Sequence, residues 1–185
     1  MAPIPIFTKE DTSLITVFYI VLSALLITVD QYSKHLAVTY LANGKTVDIL
    51  PEIFELHYLE NHGVAFGMMQ DMRWIFIPVS ILLTAVLVWL LARSPLRRSG
   101  LFRFSCYLCL AGALGNMIDR FALGYVIDFL YFKLIDFPIF NLADCYVVVA
   151  TFLLAYFVLF RFKQYDDLSM RAILGFSVKG EKHNG

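Results

Sequence analysis

Charge is scarce in this chain. Only 16% of its 185 residues are Asp, Glu, Lys or Arg, where a soluble domain of this size carries roughly 25%. Hydrophobic residues make up 59%, and the mean hydropathy is +0.71. Cysteine is scarcer still: three residues are too few for a disulfide framework. Cys106 and Cys109 form a CxxC, but they lie one helical turn apart inside an apolar run with no second pair. That placement fits helix packing rather than metal or redox chemistry. His35, His57, His62 and His183 show no ligand spacing, so neither a metal nor a cofactor is expected. With a formal net charge of zero, no nucleic-acid partner is expected either. The N-terminal segment does not resemble a cleavable leader. Its KED flank is not net basic, and TVDQYS stands where a small-residue cleavage site belongs. The first apolar segment is expected to be retained.

What the chain does have is four long uncharged runs: Ser13–Val29, Trp74–Ala92, Phe104–Ile118 and Cys145–Phe160. Each approaches the roughly 20 residues that a bilayer core requires. Backbone polar groups cannot go unpaired in lipid, so the runs predict helices, placed at about 13–30, 73–92, 102–119 and 142–161. The expected class is an all-α integral membrane protein, one membrane domain over 1–185 with four transmembrane helices.

The distribution of charge orients it. With an even number of spans, the two ends and the loop from Arg93 to Arg103 share one side. That side holds ten basic and five acidic residues, and the other holds five basic and ten acidic. The loop RSPLRRSGLFR has four arginines and no acid. The positive-inside rule makes it cytoplasmic, together with both termini and the 164–185 tail. Residues 31–72 and 119–144 then face outward. FELHYLE alternates as a strand does, TVDIL is a candidate partner, and YVIDFLYF reads as another short strand. ANGK at 42–45 is a turn signal. A small extracytoplasmic β-sheet is expected, with the first outward loop as a lid.

Ionisable residues at membrane depth are costly and are functional by default. Here they gather at one level. Asp30, Gln31 and Lys34 end the first run, Asn116, Asp119 and Arg120 end the third, Asp128 follows, and Asn141 and Asp144 open the fourth. Several have ordinary readings. Asp30 and Lys34, spaced i, i+4, can form a structural ion pair. Arg120 can anchor at headgroups or neutralise a buried carboxylate. Asn141 and Asp144 suit a helix cap. Asp128 has no such explanation, because neither strand patterning nor capping calls for a carboxylate within YVIDFLYF. Two desolvated carboxylates sharing a site hold one proton between them. That state suits hydrolysis, with one member activating water and the other donating a proton.

The blocks DQYSK (30–34), ENHGVAFG (60–67), GALGNMIDR (112–120), GYVIDF (124–129) and FNLAD (140–144) resemble, in order, the motifs of the lipoprotein signal peptidases, or signal peptidase II. The resemblance implies a bacterial aspartic endopeptidase of the cytoplasmic (inner) membrane, multi-pass, with its active site at the outer leaflet. Such enzymes remove signal peptides from diacylglyceryl-modified prolipoproteins, cutting just before the lipidated cysteine. It implies a catalytic dyad of Asp128 and Asp144, with Asp30, Lys34, Asn61, Asn116, Arg120 and Asn141 supporting it and positioning substrate. It also implies inhibition by cyclic peptides of the globomycin type. A monomer is expected. The second block departs from the family's usual GAAFS in Val64 and Gly67, which weakens any polar role at position 67. The competing reading is a small transporter or proton relay using the same carboxylates. It lacks a polar path, since the spans carry no charge at mid-depth. A presenilin-like protease would need GxGD, which GYVID does not supply.

Overall fold

In the computed structural model, residues 9–63, 73–93 and 99–161 are described. The elements run α1 (Lys9–Leu41), β1 (Thr46–Leu50), β2 (Phe54–Asn61), α2 (Arg73–Arg93), α3 (Gly100–Ala122), β3 (Val126–Tyr131) and α4 (Leu142–Tyr156). One π turn, Phe157–Arg161, prolongs α4. Among the described residues, three helical stretches are long and apolar enough to cross a membrane: Ser13–Leu41, Gly100–Ala122 and Leu142–Arg161. Helix α2 contributes a shorter apolar stretch, Pro78–Arg93. Leu14, Phe18, Leu25, Leu82, Phe152 and Leu159 project from the bundle as an apolar outer surface, the surface that lipid tails solvate.

Helix α3 is the hub and packs against each of the other three. Ser99 caps it, accepting from the Phe102 N–H at 3.4 Å. Its inner side chains are small, which is how helices approach closely when lipid supplies no hydrophobic drive. A Cβ at Gly112 would strike the Ala143 carbonyl oxygen and come within 2.7 Å of Val147 Cγ2. Leu87, Phe102, Cys106, Cys109, Ala150 and Phe157 form the core at one end of the bundle. The CxxC thiols are free and buried in this packing layer.

Helix α1 differs from the sequence expectation. It was expected to end near residue 30 and to lead into a β-rich loop over 31–72, but it continues to Leu41. The reason is a single face. Asp30, Lys34, Ala37 and Leu41 recur at helical spacing and are all buried. Ala37 and Leu41 pack beneath Ile127 and Phe129 of β3. The charged pair at 30 and 34 therefore marks a change of surroundings and not a helix end. The chain then turns at 42–44, with Gly44 at φ +76°, a conformation that glycine adopts without strain.

The sheet has the order β1-β2-β3 and is antiparallel throughout. Thr46 pairs with His57 and Asp48 with Glu55. Asn61 pairs with Val126 and Leu59 with Asp128, after an irregularity between Leu56 and Leu59. This register brings the end of β2 and the start of β3 to the ends of α3 and α4. Of the first outward loop expected as a lid, residues 64–72, which include Val64 and Gly67, lie outside the described residues, as does the 164–185 tail.

Candidate active site

Four carboxylates converge where α1, α3, β3 and α4 meet, and they fall into two kinds. The first kind surrounds Lys34. This ammonium is 1% exposed and has three protons to donate. It donates to Asp30 Oδ2 at 2.9 Å, Asp119 Oδ2 at 2.8 Å and Asn116 Oδ1 at 3.1 Å. The remaining lone pairs are also met. Asp30 Oδ1 accepts from the Ala143 N–H at 2.9 Å. Asp119 accepts from Gln31 Nε2 at 2.8 Å and from the Ile127 N–H at 3.2 Å. A buried ion pair stands against its desolvation cost only when its other polar atoms are also bonded, and here they are. The sequence expectation of an Asp30–Lys34 pair is met, with Asp119 as an added partner.

Asp128 and Asp144 are the second kind. Among the described residues, their hydrogen bonds come from amide side chains and backbone only. Asp128, 1% exposed, accepts from Asn141 Nδ2 at 2.6 Å and from Asn61 Nδ2 at 2.7 Å. Asp144 accepts from Asn116 Nδ2 at 2.7 Å and from the Asn141 backbone N–H at 3.1 Å. Asn141 thus touches both carboxylates. Burial, followed by the charge of Asp144, pushes the Asp128 pKa up to about 7; the Asn61 and Asn141 amides pull it the other way.

The amide orientations follow from the ammonium. Lys34 can only donate, so the Asn116 atom facing it is the oxygen. The same oxygen accepts from Asn141 Nδ2 at 3.0 Å, which leaves Asn116 Nδ2 to serve Asp144. Lys34 therefore reaches Asp144 through one intervening amide. Asn141 and Asp144 also form a reciprocal cap on α4, because Asn141 Oδ1 accepts the Asp144 N–H at 3.0 Å. The capping reading of these two residues and the site reading describe the same bonds.

Asn61 and Arg120 lie at the edges. Asn61 Oδ1 accepts the Gly63 N–H at 3.0 Å, which fixes the end of β2 as its amide reaches Asp128. Arg120 donates to the Asn116 carbonyl at 3.4 Å. It lines a cleft of about 260 Å³ with Ser80, Leu83, Asn116, Asp144 and Val147. Adjacent in sequence, Asp119 and Arg120 point apart, one to Lys34 and the other to the cleft.

All eight candidate residues are thus gathered at one place. Two further contributors stand outside the eight candidates: Gly115, and Gln31, which the sequence showed only among the polar residues that end the first run. A Cβ at Gly115 would lie 2.7 Å from Asp30 Oδ2, so glycine there makes room for the carboxylate. Its signal was available, since Gly112 and Gly115 stand one turn apart on a helix. Gln31 ties α1 to α3 by donating to the Gly115 carbonyl at 3.1 Å as well as to Asp119.

The sequence profile of Signal peptidase (SPase) II matches residues 22–160. The lipoprotein signal peptidase of Caldanaerobacter subterraneus subsp. tengcongensis is 38% identical over 143 residues, covering 77% of this chain and 96% of the relative. That of Clostridioides difficile is 42% identical over 142 residues, covering 77% and 95%. Two solved structures of bacterial membrane enzymes superpose with a TM-score of 0.71 each, at 25% and 27% identity. They cover 91% and 78% of this chain, and 94% of each solved chain is matched. The chain belongs to the lipoprotein signal peptidase family, signal peptidase II, of bacterial membrane peptidases.

Proposed function

We propose that this chain removes signal peptides from diacylglyceryl-modified prolipoproteins by aspartic hydrolysis, with Asp128 and Asp144 as the dyad and the cut just before the lipidated cysteine. One contrast carries the reading. Of four gathered carboxylates, Asp30 and Asp119 are neutralised by Lys34, whereas Asp128 and Asp144 are bridged by Asn141 and bonded only by neutral donors among the described residues. A pair so held keeps one shared proton near neutral pH.

Asp144 is the ionised member in this reading, because the first turn of α4 favours an anion. It takes a proton from water as the oxygen attacks the scissile carbonyl carbon. Asp128, with a pKa near 7, protonates the carbonyl oxygen. As the tetrahedral intermediate collapses, one hydroxyl returns its proton to Asp128 and re-forms the carbonyl, the C–N bond breaks, and the amine of the lipidated cysteine leaves with the proton that Asp144 took up, which restores both carboxyls. Asn116 and Asn141 hold the carboxylates, and Asn61 and Arg120 flank the substrate path. The apolar cleft beside Asp144 suits a substrate that is itself membrane-embedded.

The same reading fixes the orientation. Asp30 lies 17 residues after Ser13, about 26 Å along the helix at ~1.5 Å per residue, near the far edge of a ~30 Å hydrocarbon core. With Arg93 and Arg103 inside, four spans put both termini in the cytoplasm and the dyad at the outer leaflet. The protein works as a monomer and is a target for cyclic peptides of the globomycin type. The test compares reconstituted enzyme on a lipidated precursor and on the same precursor without its diacylglyceryl group, by gel shift. Cleavage of the lipidated form alone is expected. Equal cleavage of both would remove the lipid from the substrate definition.

A further inference from the structure

The far end of the sheet carries a patch that the active site does not use. Leu50, Ile53, Phe132, Leu134, Ile135 and Phe137 are exposed there, Leu134 and Ile135 to 68% and 67%. They are contiguous. The Leu134 N–H donates to the Ile53 carbonyl at 3.3 Å. The Phe132 ring lies 4.9 Å from Phe54 and 5.8 Å from Phe140, which meets Phe137 at 5.7 Å. Lys133 stands among them, with its ammonium 3.7 Å from Glu52 and 3.6 Å from Glu55. Large apolar side chains clustered on a surface mark an interaction site.

The path of the chain says what covers this one. Phe140 bonds to Leu130 on the β3 edge, and α4, a membrane-spanning helix, begins at Leu142. The patch is therefore tied to the point where a span enters the bilayer. From Asp128 to Phe132, the first patch residue after this strand, is four residues, at most about 13 Å at ~3.3 Å per residue, so the near edge of the patch lies within that distance of the dyad. Aliphatic and aromatic side chains around a lysine, so placed, have the make-up of an interfacial anchor.

We propose that this sheet tip, centred on Leu134 and Ile135, inserts into the headgroup–acyl boundary of the leaflet at which the dyad lies. It gives the sheet a membrane attachment of its own and holds β3, with Asp128, at fixed depth against the lipidated substrate. The effect of depth on cleavage rests on the peptidase reading, whereas the insertion does not.

Nitroxide labels at Leu134→Cys and Ile135→Cys, in full-length protein with its three native cysteines replaced, report insertion directly. The protein is reconstituted in vesicles of phosphatidylethanolamine and phosphatidylglycerol, with a label at Lys45→Cys as the aqueous reference. Labels at 134 and 135 are expected to collide with oxygen more than with a water-soluble nickel chelate, and the reference label the reverse. Aqueous behaviour at 134 and 135 overturns the proposal. So does spin–spin broadening there that disappears on dilution with unlabelled protein, which assigns the patch to a second copy. A Leu134→Glu/Ile135→Glu variant tests the depth effect separately. Its cleavage of a vesicle-embedded lipidated precursor should fall about tenfold, while its cleavage in detergent micelles stays at the wild-type rate. Equal losses in both media, or no loss in vesicles, overturn the depth effect and leave the label result standing.

Discussion

Asp128→Asn should make the protein less sensitive to pH, and the size of the effect follows from the site. Asp128 titrates at about 7 in the fold against an ordinary 3.8. At ~1.4 kcal/mol per pH unit, that difference is worth about 4 kcal/mol. A carboxyl whose pKa is raised on folding favours the folded state while it is protonated. The contribution of Asp128 to wild-type stability should therefore be greatest below about pH 4, fall as pH rises, and level off above about pH 7. Asparagine cannot ionise and removes this descent. It also offers one acceptor oxygen to two donors, Asn61 Nδ2 and Asn141 Nδ2. The resulting mismatch costs about 1–3 kcal/mol, but equally at every pH. The diagnostic is thus the slope and not the offset. Unfolding free energies in mild detergent, measured from pH 4 to pH 8, should shift in favour of the variant by up to about 4 kcal/mol across the range. Parallel profiles for the two proteins would refute the claim that Asp128 holds its proton because it is buried beside Asp144.

Lys34→Met should be strongly destabilising, by about 3–5 kcal/mol, because it leaves Asp30 and Asp119 buried without their cation. Lys34→Arg should not restore the wild-type melting temperature, since a planar guanidinium cannot place donors where the ammonium does. Gly112→Ala should force α3 from α4, because its Cβ meets the Ala143 carbonyl oxygen, and should lower the melting temperature well beyond Gly44→Ala. The latter meets nothing within 4 Å and costs about 1 kcal/mol through its positive φ alone. Similar melting temperatures for the two would contradict the close α3–α4 packing.

The helices were legible from run length and the strands from their period. Uncharged runs near bilayer length marked the helices, and alternation in FELHYLE and YVIDFLYF marked β2 and β3. The extension of α1 was hidden because a charged pair looks like the end of an apolar run. Only the buried face of Asp30, Lys34, Ala37 and Leu41 shows that the helix continues. The polar residues of the site could be named from their improbable setting, but not sorted. Asp119 and Asp128 look alike in a sequence as carboxylates beside apolar segments. What separates them is three-dimensional: α1 delivers Lys34 to Asp119, while β3 delivers Asp128 to Asn141. Gly115 was visible in the sequence only through its spacing from Gly112; the space it leaves for the Asp30 carboxylate on another helix is visible only in three dimensions.

The account stands or falls on the pair of carboxylates bridged by Asn141. The direct measurement is single-turnover cleavage of a diacylglyceryl-modified precursor by Asp128→Asn and Asp144→Asn proteins that are shown to be inserted and folded. Each variant is expected to lose at least about a thousandfold in rate, the scale on which removing an acid–base group acts. Wild-type cleavage by either folded variant would contradict the assignment of the dyad.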